Sequence, residues 1–179
     1  MIRVSIGKDD EELLGLARRG EVDLTFVQLP VHDREFEHAT LLEDEYVLVV
    51  RPGSRAVAPT LDELAALPLI AFNTGKTCQL TDYFRANNLE PNWIVGSYDL
   101  ETIYAFVAAG IGSALLPRLA TLCLGPDAEV IELACGLPPR RIGIAWAVSR
   151  GESGAAHAFV EAARAEAARF TPQRLSVAV

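Results

Sequence analysis

The sequence predicts an α/β protein built on parallel sheets, and three observations carry that expectation. Short apolar runs of strand length alternate with amphipathic helical runs through nearly the whole chain. Their junctions carry helix-end chemistry, with Asp or Thr before a first turn and Gly or Pro after a last one. Half of the 179 residues are apolar, enough to bury a full core in one domain or in two small lobes.

Taken in order, Ile2–Gly7 alternates as a strand, and a helix follows with Asp9 and Glu12 in capping-box positions. Leu13, Leu16 and Ala17 share one face of that helix, and Gly20 suits its C-cap. Val22–Leu29 reads as a strand stopped by Pro30; a polar loop follows, then a strand at Glu45–Arg51 with a turn at Pro52-Gly53. Thr60 and Glu63 form a Thr-x-x-Glu capping box for a short helix ending before Pro68, and Leu69–Phe72 is a buried strand. Thr77 is the candidate N-cap of a helix over Cys78–Asn87, and a strand at Asn92–Ser97 leads to a further helix with Ser97 or Asp99 as its cap. Two more strands lie around a Gly-Leu-Pro-Pro turn. A last helix is striped by Ala156, Phe159, Val160, Ala163, Ala167 and Phe170.

The Gly-x-Gly of Tyr98–Pro117 invites comparison with a phosphate loop, but the order is reversed. A dinucleotide loop follows a strand and opens a helix, whereas here Leu100, Ile103, Tyr104, Val107 and Ala108 make a helix before the glycines. Gly110 then fits a C-cap of positive φ, and Ser113–Leu116 reads as a strand stopped by Pro117. A helix-to-strand turn is the expected role of Gly110, Gly112 and Pro117.

A net charge of −8 with dispersed basic residues argues against this chain gripping a phosphate backbone by itself. The longest apolar run, Ile103–Pro117, is too short to span a bilayer, and the N-terminal stretch lacks a signal peptide's apolar centre, so a cytoplasmic protein is expected. Cys78, Cys123 and Cys135 form no Cys-x-x-Cys pair, and His32, His38 and His157 share no ligand spacing, so no metal is expected. There is no Gly-x-Ser-x-Gly elbow, no His-Glu-x-x-His and no Walker loop. Neither catalysis nor a cofactor is expected.

The ordered set GEVDLTFVQLP, LLEDEYVLVVRPGS, LDELAALPLIAF, SYDLETIYAFVAAGIGSALLP and RRIGIAWAVSR resembles the effector-binding domain of LysR-type transcriptional regulators over nearly the whole chain. Gly20-x-x-Asp23-Leu24 and Val107–Pro117 carry the most specific likeness. The resemblance implies two Rossmann-like lobes of the type 2 periplasmic-binding-protein kind, joined by two crossover strands, with a small effector in the cleft. Lobe I would comprise 1–44 and 133–170 and lobe II 45–132, with crossovers near Glu45 and Leu133 and a tail over 171–179. It also implies a homodimer pairing lobe I of one subunit with lobe II of the other. DNA would be met only through a winged helix-turn-helix that has no counterpart here. The likeness begins at the family's second lobe I strand, so lobe I is expected to be incomplete or completed by a partner chain.

The loop Asn73, Thr74, Gly75, Lys76, Thr77 and Cys78 leaves a strand and enters a helix whose first N–H groups are free, where a carboxylate or other small anion could sit. A solvated loop with Thr77 as a plain cap is the other reading. By resemblance this segment is the lobe II effector loop, and Ser97, Tyr98 and Asp99 also edge the cleft while capping a helix. Across from them, Lys8, Asp9 and Gln28 occupy strand-end positions in lobe I. Gln28 is the more persuasive, because its amide both donates and accepts; Lys8 is equally readable as a solvated lysine. A thiol at a helix N-terminus near Lys76 has thiolate character, so a redox sensor acting through Cys78 is an alternative. Against it, Arg85, Ala86, Asn87 and Asn88 stand where peroxide-sensing relatives carry a resolving cysteine. A solute-binding protein of a transporter would share the bilobed cleft and is the other alternative.

Overall fold

A computed structural model describes residues 3–7, 9–54, 57–72, 78–122, 124–150 and 153–169. The elements run α1 (Asp10–Arg19), β1 (Thr25–Leu29), β2 (Phe36–Asp44), β3 (Tyr46–Val50), α2 (Leu61–Ala66), β4 (Leu69–Phe72), α3 (Cys78–Ala86), β5 (Trp93–Ser97), α4 (Leu100–Ala108), β6 (Ser113–Pro117), β7 (Glu129–Glu132), β8 (Arg140–Ala147) and α5 (Gly154–Arg169). They divide into unit 1, Met1–Asp44 with Arg140–Val179, and unit 2, Glu45–Pro139.

Unit 1 is a three-stranded antiparallel sheet in the order β1-β8-β2. One face is covered by α1, whose Leu14 and Ala17 pack with Val27, Leu29, Phe36, Ala145 and Ala147. The other is covered by α5, whose Phe159, Val160 and Ala163 lie on Ala39, Ile144 and Trp146. Helix α1 is held at both ends by the residues its sequence provides. Asp9 accepts from Glu12 N at 2.9 Å, and Gly20 at φ 71° returns its N–H to Ala17 O at 3.0 Å. Arg18 then fastens the last turn to the next loop, donating to Asp33 and Glu35 while standing over the Phe36 ring at 5.2 Å.

Three expectations are corrected in unit 1. Residues 3–7 form no strand, and Val4 and Ile6 are 82% and 94% exposed. Alternation makes a strand only where an edge accepts it, and the N–H of Gln28 on β1 is already taken by Asp10 Oδ2 at 3.1 Å. The polar loop after Pro30 contains β2, whose inward alternation is broken by a register shift between Thr40 and Leu42. The sheet is antiparallel throughout.

Unit 2 carries a five-stranded mixed sheet in the order β5-β4-β6-β3-β7. β4 is parallel to β5 and β6, as helix-strand alternation predicts, but β3 is antiparallel to β6 and β7. Both faces are covered, so the inner strands are buried on each side. Leu48, Val50, Leu69 and Leu115 pack under Leu64 and Ala65 of α2 and Leu80 and Phe84 of α3. Val47, Val49, Ile70, Ala114 and Leu116 pack under Ile103 and Val107 of α4. The Thr60–Glu63 capping box that opens α2 is formed in both directions. Leu133, Cys135 and Leu137 lie against the first of these clusters, so unit 1 resumes at Arg140 rather than near Leu133.

Candidate functional site

The parallel register of unit 2 sets Phe72 opposite Ser97, so the segments leaving β4 and β5 start side by side. One enters α3 at Cys78 and the other enters α4 at Leu100. Two helix N-termini therefore open from the carboxyl ends of adjacent parallel strands, the position where open α/β sheets bind ligands.

The two N-termini differ in charge. At α4, Asp99 Oδ2 accepts from Thr102 N at 2.8 Å and from the Thr102 hydroxyl, while Ser97 Oγ accepts from Asp99 N at 3.0 Å. The Thr102 hydroxyl and then its N–H hold the Asp99 carboxyl below its ordinary 3.8. That helix end is occupied by its own carboxylate, with Tyr98 exposed beside it. Helix α1 of unit 1 is similar, with Asp9 as cap and Asp10, Glu11 and Glu12 in the first turn. Helix α3 has no acidic residue in its first turn and is preceded by Lys76 and Thr77. Among these three ends it is the one without an acidic residue in its first turn.

The Asp99 geometry makes a pH-dependent prediction. A carboxyl whose folded pKa is depressed stabilises the fold above its unfolded value, and that contribution is lost as pH falls through the folded value. Asp99→Ala should therefore melt below the wild type at pH 7, with the gap closing as both are titrated below the ordinary 3.8. Melting curves from pH 7 down to the acid limit of folding test this; a gap that persists unchanged in acid would remove the ionised cap as its cause.

In unit 1, Asp9 and Gln28 are brought to one corner by Asp10, whose carboxylate accepts from Gln28 N. Nothing in the sequence exposes this link, which joins residues 18 positions apart. Lys8, Asn73, Thr74, Gly75, Lys76 and Thr77 lie outside the described residues, as does the side chain of Cys78.

The glycine pair is a helix-to-strand turn. Gly110 has φ 74°, its N–H reaches Val107 O at 2.9 Å, and Ile111 N reaches Phe106 O at 3.0 Å, closing α4 with left-handed capping geometry. Gly112 leads into β6, which ends at Pro117 opposite Tyr46. Among the described residues no group of three or more His, Cys, Asp or Glu could hold a metal ion, and no helix is long and apolar enough to cross a membrane. Cys135 is half-buried, and burial pushes its thiol up, away from thiolate.

Such a sheet, with helices on both faces and two helix N-termini at the carboxyl edge, defines an open α/β module. The family model of the LysR substrate binding domain matches residues 2–168, and the chain belongs to that family. It is 28% identical over 153 residues to the probable hydrogen peroxide-inducible genes activator of Mycobacterium leprae, covering 80% of this chain and 49% of that protein. Among solved structures it is similar to HinK, a LysR family transcriptional regulator from Pseudomonas aeruginosa, with a TM-score of 0.82 at 21% identity over 94% of this chain and 61% of that one. It is also similar to the effector binding domain of QuiR in complex with shikimate, with a TM-score of 0.76 at 18% identity over 90% of this chain and 79% of that one. The fold is thus that of the two-lobed, periplasmic-binding-protein-like LysR effector-binding domains. The chain spans about half the length of the curated relatives it matches.

Proposed function

We propose that the chain is the effector-sensing domain of a LysR-type, DNA-binding transcriptional regulator. It takes a small anionic molecule at the carboxyl ends of β4 and β5 and performs no catalytic step. The observation that carries this reading is the acid-free first turn of α3, set beside Ser97, Tyr98 and Asp99 and preceded by Lys76 and Thr77. A carboxylate there would accept from N–H groups of the helix's first turn and from Thr77, with Lys76 as counter-charge. Ser97 and Tyr98 supply neutral donors at the neighbouring strand end. The QuiR domain's complex with shikimate, a carboxylate, supports an anion of this size.

The effector acts by differential affinity for two conformations, a coupling of about 1–3 kcal/mol suffices, and a DNA-binding domain reads the change. The protein works as a cytoplasmic homodimer in which lobe I of one subunit meets lobe II of the other. The test is a thermal-shift screen of the purified chain against small carboxylates, amino acids, aromatic acids and inorganic phosphate, with Lys76→Ala in parallel. A ligand at 100 times its Kd stabilises by about 2.7 kcal/mol. A hit that is lost in Lys76→Ala supports the site; a hit unchanged by the substitution moves it elsewhere.

A second reading is favoured by the Mycobacterium leprae relative and by the place of Cys78 at the start of α3, where the helix dipole stabilises a thiolate. In that reading oxidation of Cys78 replaces effector binding. Peroxide in the same screen separates the two, since a shift abolished by Cys78→Ser belongs to the thiol and one that survives does not.

A further inference from the structure

Among the described residues the sheet of unit 1 ends in two edge strands, β1 and β2, and the two edges are not equivalent. On β1 the N–H of Gln28 is taken by Asp10 Oδ2 at 3.1 Å, which obstructs the pairing of a further strand there. On β2, Val148 N donates to Glu35 O at 2.8 Å, and this bond fixes the alternation. Glu35, Glu37 and Ala39 turn their backbone groups towards β8, so Phe36, His38 and Thr40 turn theirs away from it. The Phe36 N–H is used by Asp33 O at 3.2 Å, which leaves the Phe36 carbonyl, both backbone groups of His38 and the Thr40 N–H along the outer rim. A groove of about 480 Å3 lies beside this stretch, between the start of β2 and α5. Its apolar lining is Phe36 and Val160, both buried, and the half-buried Trp146. Its polar lining sets two carboxylates, Glu37 and Glu161, against one guanidinium, Arg164, which is paired with Glu161 Oε1 at 2.8 Å. Trp146 Nε1 donates to Glu37 Oε2 at 3.1 Å and so holds that carboxylate at the groove.

We propose that Phe36–Thr40 is a docking edge for an extended, basic peptide segment of another protein, which pairs with β2 as a fourth strand and sets alternate apolar side chains into the groove. Outward backbone donors and acceptors recognise an extended chain of any sequence, and the groove beside them selects every second side chain. The register shift between Thr40 and Leu42 ends the regular edge, so the pairing is confined to Phe36–Thr40. Charge decides between occupants. A second copy would bring its own Glu37 and Glu161 to the same rim, in a chain of net charge −8, and like charges opposed across strands are unfavourable. Lys or Arg on either side of an apolar residue meets the two carboxylates instead, while the apolar residue lies against Trp146 and Val160. This surface belongs to unit 1 alone and uses none of the residues of the proposed anion site, so the inference goes beyond the effector reading.

The test uses the full chain with Trp93→Phe, in which Trp146 at the groove is the remaining tryptophan. The probe is a peptide of alternating Lys and Val, capped at both ends and titrated against Trp146 emission. Saturable binding is expected, and the counterpart of alternating Glu and Val should not bind at the same concentrations. Two further peptides carry backbone N-methyl groups, one on its valines and the other on its lysines. Each form loses the donors of one peptide edge, so one of the two should bind about tenfold more weakly or worse than the parent. His38→Pro removes the outward N–H without touching the bonds to β8 and should weaken the parent peptide to a similar extent. Glu161→Gln should weaken it severalfold. If His38→Pro does not fold, the methylated peptides on the unaltered edge decide the matter. Absence of saturable binding, equal binding of the acidic peptide, or equal binding of both methylated forms overturns the docking edge. A Trp146 signal that changes with protein concentration alone, and stops doing so in His38→Pro, assigns the edge to a second copy and overturns it as well.

Discussion

Phe84→Ala should destabilise unit 2 by about 3–5 kcal/mol. The ring is fully buried, in one cluster with Leu48, Val50, Leu69 and Leu115 of the sheet, Leu64 of α2 and Leu80 of its own helix. Removing it takes away both the transfer free energy of the ring and the contacts of the void left behind, because neighbours held on a five-stranded sheet relax little. The distribution of the two tryptophans makes the loss locally readable. Trp93 lies against the same cluster in unit 2 with its Nε1 donating to Thr81 Oγ1, and Trp146 lies in unit 1 with its Nε1 donating to Glu37. Urea unfolding followed in a Trp146→Phe background reports unit 2, and in a Trp93→Phe background unit 1. The Trp93 transition should move by the full amount; a shift below about 1 kcal/mol would mean that α3 is not anchored through Phe84. Any ligand held at the start of α3 should weaken in the same variant, since the helix end that binds it is positioned by this ring.

The parts of the fold that were legible in the sequence are those decided by neighbours along the chain. Asp9, Thr60, Glu63 and Asp99 cap their helices through N–H groups three residues away, and Gly20 and Gly110 end theirs by φ alone. The failures are decided by distant partners. Residues 3–7 have the alternation of a strand, but pairing is a property of the edge they would meet. β2 was hidden for the opposite reason, since its pairing with β8 tolerates the irregularity at Thr40/Leu42 that spoils the pattern. Strand direction was legible for β4, β5 and β6, where short helices force parallel crossovers, and not for β1, β2, β3, β7 and β8, which find antiparallel partners. The acid-free start of α3 can be read from sequence, whereas the contact of Asp10 with Gln28 cannot, because only the packing of α1 against β1 brings them together.

Gly112→Ala should cost more than Gly110→Ala, although Gly110 is the residue with the unusual backbone. At Gly110 the φ of 74° penalises an L side chain, by about 1–2 kcal/mol, but a Cβ there meets only the Arg51 guanidinium at 3.4 Å, the far end of a flexible chain. At Gly112 the backbone conformation is unexceptional and the obstacle is steric. A Cβ would stand 2.6 Å from Pro68 O and 3.0 Å from Ile94 Cδ1, and Pro68 O is also the acceptor for Ser113 N at 2.9 Å. Neither the carbonyl nor the strand behind it can retreat without opening the start of the β4–β6 pairing, where Leu69 faces Ser113. Overpacking of this kind costs about 1–3 kcal/mol, and a backbone obstacle puts it at about 3 or above. Urea midpoints of the two variants, read through Trp93, give the order directly. If Gly110→Ala proves the more damaging, the conformation of the turn and not the approach of Pro68 is what requires glycine. If Gly112→Ala is the worse, the second glycine of the pair is needed because it lets β6 leave the turn in contact with β4, a role unrelated to the phosphate cradle that the same two letters suggest elsewhere.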